Sequence, residues 1–313
     1  MLEKTIRIGF CDSGVGGLIL AFDFLKYVAP ILAGANKRYG VKFEFYHICE
    51  GFPYGLKSDE EIIVTGSKMI HKLQRKIGCN VLVVACNTLS AKLDLYNIHF
   101  EAYGHRNFKI VPIVANSSEG IYKKALENSI TNNTKNIEIM MLATPAAFRN
   151  NIHDKYIRYA HHKAKSKQGL IIKSFTPDIF WQQNVENGTA FNEDNIQNIK
   201  QNIKSFLVDG YFEKLNAIGL FCTHYPAYQS IISDAVDNSI NIVSQGDLVA
   251  KSVIDAIIEM FPEYEFSQND DTQDLSFVSV YSLYKNEEYS STIQTIINDI
   301  FGEKISKMLK ILN

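Results

Sequence analysis

The stretch that decides the fold is "VLVVACNT", residues 81–88. An unbroken apolar run ends in Cys86, and the polar pair Asn87–Thr88 follows. A short apolar run without alternation suits a strand buried on both faces, as in a parallel sheet. The arrangement returns in "AIGLFCTHYP", residues 217–226, where Cys222 ends the run. Each cysteine stands where a buried strand gives way to polar residues.

Other short apolar runs read as strands: 6–10, 42–48, 80–85, 109–114, 137–142, 169–175, 217–221, 241–245 and 276–282. Between them, residues 59–77, 195–212 and 246–261 carry apolar side chains at helical spacing with polar ones opposite. Alternating strands and helices predict an α/β fold with parallel sheets. "IRIGFCDSGVGG" (6–17) and "IEIMMLATPAAF" (137–148) each lead a strand into a turn of small residues, so the chain faintly repeats itself. Two related halves facing each other would bring Cys86 and Cys222 across one cleft. "LAGANKRYG" (32–40) and 262–275 read as a surface insertion and a polar loop.

With 313 residues, the chain suits two domains. Its net charge of −2, with 46% hydrophobic and 21% charged residues, gives no electrostatic reason to expect a nucleic-acid partner or an anionic membrane. No apolar run in the sequence is expected to reach the ~20 residues that span a bilayer. The start, "MLEKTIRIGF", lacks the apolar core of a signal peptide, which predicts a cytosolic protein. Five cysteines without a CxxC predict free thiols, neither disulfides nor structural zinc.

In open α/β sheets, ligands sit beyond the carboxyl ends of the strands. "CDSGVGG" (11–17), "FPYG" (52–55), "CNT" (86–88), "ATPA" (143–146) and "CTHYP" (222–226) all fall there or in the loops that follow. "DSGVGG" lacks the GK[ST] of a P-loop and the spacing of a dinucleotide fingerprint. It suits a turn that cradles a carboxylate, with Asp12 and Ser13 in the cleft; Asp12 as a plain helix cap is the bland alternative. A thiol at a helix start is placed to be acidified. One such thiol with His224 would suggest a Cys–His hydrolase. Two on opposite sides of a carbon would instead remove a proton from one face and add one to the other, with Asp12 and His224 setting the protonation of each.

"CDSGVGGL", "FPYGLKS", "VVACNTLSA", "LATPA" and "CTHYP" resemble, in that order, motifs of the glutamate racemases, within the cofactor-independent aspartate/glutamate racemase family. "SQGDLVAKSV" (244–253) and the closing strand and helix (276–301) extend the similarity over most of the chain. The resemblance implies two similar parallel-sheet α/β domains facing each other across an active-site cleft, 1–113 plus 249–313 and 114–248. It implies Cys86 and Cys222 as acid/base thiols, assisted by Asp12 and His224. Ser13, Pro53, Tyr54, Gly55, Asn87, Thr88, Thr144 and Thr223 would hold the amino acid, and Glu186 would stand on the histidine side. It implies no cofactor and no metal, a small-molecule amino acid (glutamate) as partner, and a chain compatible with a homodimer. The product would be D-glutamate for peptidoglycan.

The sequence departs from the family pattern at Ile48, where an Asp is usual before "PYG", and at Ala147 and Asn150, where hydroxyls are usual. These departures keep open a racemase of another amino acid, or a non-catalytic ligand-binding relative. Cys11, Cys49 (in a loop) and Cys79 are expected to be structural, and His47 and His153 to be surface or packing residues.

Overall fold

The computed structural model describes residues 4–95, 108–148, 151–209, 214–266, 275–283 and 287–312. Among them, β1 (Thr5–Asp12), β2 (Lys42–Cys49), β3 (Val81–Val84) and β4 (Lys109–Pro112) form a sheet. β5 (Asn136–Ala143), β6 (Gly169–Phe175), β7 (Ala217–Phe221) and β8 (Asn241–Val243) form a second. β9 (Val278–Ser282) and β10 (Leu309–Ile311) return to the first. The strand orders are β10-β9-β2-β1-β3-β4 and β6-β5-β7-β8, and the described pairs are parallel. All carboxyl ends within one sheet therefore point the same way, which gathers the loops that follow them. The fold is α/β with two parallel sheets, as expected.

Each expected strand exists, with small shifts at the ends. The run at 109–114 stops at Pro112 because Ile113 opens helix α4 (Ile113–Thr131). The run at 241–245 stops at Val243, since Gln245 opens α10 (Gln245–Met260). Cys49 closes β2 rather than lying in a loop. β10 was not anticipated; three residues are too short to show a period.

Helix α1 (Gly16–Tyr39) overturns one expectation. Residues 32–39 continue the helix, with Leu32, Ala33 and Ala35 buried, and are not a surface insertion. The helix ends at Gly40, whose φ of 68° is a left-handed conformation, with its N–H donated to the Asn36 carbonyl at 2.7 Å. Residues 267–274 of the expected 262–275 loop lie outside the described residues. By length and composition α1 is also apolar enough to cross a membrane, although 72% of its most apolar window is buried within the fold. That apolarity has a structural cause. Leu18, Phe22 and Phe24 share one core with Phe10, Phe43 and Phe45 of the first sheet and Met140, Leu142 and Leu220 of the second.

A buried carboxylate anchors α10 against α1. Asp23 accepts hydrogen bonds from Ser244 Oγ at 2.6 Å and from the Gly246 N–H at 3.0 Å, at the start of α10. A carboxylate there satisfies an orphan donor and meets the positive end of the helix, together worth about 1 kcal/mol.

Candidate active site

Three strand ends build the site. β1 delivers Asp12 and Ser13, β3 leads through Ala85 to Cys86 at the start of α3 (Asn87–Leu95), and β7 leads to Cys222, Thr223 and His224. The Ala85 and Cys86 N–H groups both bond the Cys11 carbonyl, at 3.0 and 3.3 Å, which ties Cys86 to the end of β1. The loop after β2 is held to the same place, with Glu50 N–H on the Asp12 carbonyl and Phe52 N–H on that of Ser13.

Between these ends lies a cavity of about 440 Å³. Cys86 and Cys222 both line it, from different sheets, as do Asp12, Ser13, Thr223 and His224. Pro53, Tyr54, Asn87, Thr88 and Thr144 complete the expected set on its walls. Gly55 lies in the short helical turn Tyr54–Leu56 beside them. Glu186, the last residue of α7 (Phe180–Glu186), reaches the site through His224.

Each sulfur has its own neighbours. Cys86 Sγ is 3.9 Å from Ser13 Oγ. Asp12 Oδ1 accepts the Ser13 N–H at 2.7 Å, and its Oδ2 accepts Thr223 Oγ1 at 2.7 Å, so Asp12 spans the cleft. On the other side, Cys222 Sγ is 3.6 Å from His224 Nδ1, and His224 Nε2 is 2.5 Å from Glu186 Oε1. The Phe52 ring packs on the imidazole, with centroids 5.5 Å apart.

The electrostatics depart from the expectation of an acidified Cys86. Burial, and then the Asp12 carboxylate, push its thiol well above the usual range. The helix-start N–H of Leu89 pulls the other way and is outweighed. Burial also raises Asp12, against the opposing pull of His224, Thr223 and the Ser13 N–H. His224 behaves differently. Burial alone would lower it, yet its contacts with Cys222 and Glu186 hold it well above the usual imidazole value.

"DSGVGG" does cradle a carboxylate, and that carboxylate is the chain's own. Glu186 Oε1 accepts the Val15 N–H at 2.8 Å, at the start of α1. A Cβ on Gly14 would lie 1.9 Å from that oxygen, and one on Gly16 would lie 2.2 Å from Thr223 Oγ1. The glycines let the turn approach the second half of the site closely. Gly14→Ala is expected to cost about 1–3 kcal/mol through this overlap. An unchanged urea midpoint would show that Glu186 moves aside freely.

Ala147 is buried in a cluster around β5 and donates its N–H to Thr144; it is not among the cavity's lining residues. Ile48 is buried in the same apolar cluster as Tyr54 and lines a neighbouring cavity. Asn150 lies outside the described residues. His47 and His153 are buried in hydrogen bonds to Ser282 and Ser118. The sequence reading included Phe52 in "FPYG" without giving it a role, and it missed the wall formed by Thr176–Ile179 with Gln182 and Gln183. Thr176–Ile179 follow β6, so the rule of strand carboxyl ends, applied there too, would have found them.

No family model matches the chain. The chain is 26% identical to the glutamate racemase of Aliarcobacter butzleri over 252 residues, 80% of this chain and 83% of that one. It is 28% identical to the glutamate racemase of Clostridium botulinum over 250 residues, 79% and 81% of the two chains. The crystal structure of glutamate racemase isoform RacE1 from Bacillus anthracis superposes with a TM-score of 0.66 at 20% identity, covering 98% of this chain and 97% of that one. That of Francisella tularensis glutamate racemase in complex with D-glutamate gives 0.62 at 17% identity, covering 98% and 97%. In sequence over about four-fifths of its length, and in fold over nearly all of it, the chain is similar to glutamate racemases.

Proposed function

We propose that the protein is a glutamate racemase that interconverts L- and D-glutamate with two thiols and no cofactor. The observation that carries this reading is that Cys86 and Cys222 open onto one cavity from two different sheets. The relatives named glutamate racemase, and the D-glutamate held by the Francisella tularensis structure, support glutamate as the substrate.

In the proposed reaction, one sulfur, as thiolate, takes the α-proton from one face of the amino acid. The C–H bond breaks and its electron pair stays on the carbon. The other thiol gives its proton to the opposite face, closing a new C–H bond. One thiolate becomes a thiol and the other thiol becomes a thiolate, so charge and protons balance, and the reverse reaction exchanges the roles. Cys86 rests protonated, because burial and Asp12 disfavour its thiolate. Asp12, itself raised by burial, is the neighbour able to receive that proton when Cys86 must act as base. His224, held by Glu186, does the same for Cys222. Ser13, Pro53, Tyr54, Gly55, Asn87, Thr88, Thr144 and Thr223 position the substrate's ammonium and carboxylates.

Two further expectations belong to this reading. Residues 1–113 plus 249–313 form one domain and 114–248 the other, a division supported by β9 and β10 joining the first sheet. The D-glutamate goes to peptidoglycan synthesis from the cytoplasm. The burial of Ala147 away from the cavity weakens one argument for a different amino acid.

The test is proton exchange. Purified protein in deuterated water, with L-glutamate and no added cofactor, is expected to wash out the α-proton signal while D-glutamate accumulates. Exchange with another amino acid only, or with none, overturns the assignment.

A further inference from the structure

Gln245, the first residue of α10, is fully buried outside the cavity and carries no assigned role. Its amide meets that of Asn87 in a reciprocal pair. Gln245 Nε2 donates to Asn87 Oδ1 at 2.8 Å, and Asn87 Nδ2 donates to Gln245 Oε1 at 2.7 Å. Gln245 Nε2 also donates to the buried Ser117 Oγ on α4, at 2.9 Å. Both N–H groups of Gln245 are thereby used, which leaves its amide one orientation. Asn87 keeps its second N–H, and Asn87 lines the cavity directly after Cys86.

We propose that Gln245 is a positioning residue for the Cys86 side of the site, acting through Asn87. Two parallel hydrogen bonds fix the plane of the Asn87 side chain as well as its place, which a single bond would not. The clamp is itself anchored, since Asp23 of α1 binds Ser244 and Gly246 on either side of Gln245. A contact path therefore runs from α1 through the start of α10 to Asn87, where Cys86 begins its helix. The remaining N–H of Asn87 is then held for a carboxylate of the amino acid in the cavity that Asn87 lines. The kinetic part of this inference rests on the racemase reading above; the structural part does not.

The experiment compares Gln245→Leu, Asn87→Ala and the double variant of the full chain, each checked by thermal unfolding. Backbone hydrogen exchange read by mass spectrometry is expected to quicken at 86–90 in Gln245→Leu by about tenfold or more, leaving β1 unchanged. The KM for glutamate is expected to rise about tenfold while kcat changes less than about threefold, since what is lost is a hydrogen bond to a carboxylate that is held alike before and during proton transfer. The double variant is expected to be no worse than Asn87→Ala alone, because the two side chains act as one unit. Should Leu prevent folding, Gln245→Asn, one methylene too short to reach Asn87, replaces it in each arm. Unchanged protection at 86–90, or effects that multiply in the double variant, overturn the proposal. If the parent does not turn over glutamate, the racemase reading fails and hydrogen exchange alone decides the role of Gln245.

Discussion

Cys86→Ser and Cys222→Ser are each expected to lower racemisation by on the order of 10³-fold or more, because a positioned acid or base supplies about 10²–10⁴ and a serine hydroxyl is far too weak an acid to take either role. Each sulfur serves one face of the substrate, so one cannot replace the other. That gives the prediction a second part. The surviving thiol should still exchange the α-proton of one enantiomer slowly, and the two variants should prefer opposite enantiomers. Proton NMR in deuterated water, run separately on L- and D-glutamate, reads both parts. Racemisation at the parent rate in either variant would end the two-thiol mechanism. The same enantiomer exchanging in both variants would place the sulfurs on one face and leave inversion unexplained.

The sequence shows the two sulfurs clearly because both stand at places governed by a local rule. An apolar run of strand length must stop somewhere, and in a parallel sheet it stops facing ligand. Cys86 and Cys222 follow β3 and β7 for that reason. Other features depend on contacts between residues far apart in the chain. Residues 32–40 contain two glycines and read as a surface insertion, yet the helix persists to Tyr39. Tyr39 packs on Tyr264 with tilted rings, centroids 5.3 Å apart, and Arg38 pairs with Glu265, so tertiary contact overrides local preference. The acidity of Cys86 followed the same course. Its helix start is a local signal favouring thiolate, while burial and Asp12, from another strand, decide the opposite.

The clearest case is Glu186, whose meeting with Val15 and His224 joins segments that no local pattern relates. Glu186→Gln is expected to lower racemisation by on the order of 10²-fold and to move its pH profile, since the base it serves depends on its charge. Glu186 and Cys222 together hold His224 above its usual value, against burial. Gln keeps an acceptor oxygen but not the negative charge, so the His224 value must fall. The protonated imidazole is then lost at lower pH, and the alkaline limb of activity moves down. Stability follows with a fixed sign. For a histidine raised in the folded state, the stabilisation is fully present below the unfolded value of about 6.5 and fades as pH rises through the folded one. The stability deficit of Glu186→Gln, on the order of 1–3 kcal/mol for a weakened buried hydrogen bond to a charge, should therefore be greatest at acid pH and shrink on the alkaline side. Urea unfolding across the pH range, paired with rates over the same range, measures both. A deficit independent of pH, with the alkaline limb unmoved, would make Glu186 a residue that only packs the start of α1 and leaves the protonation of His224 to Cys222.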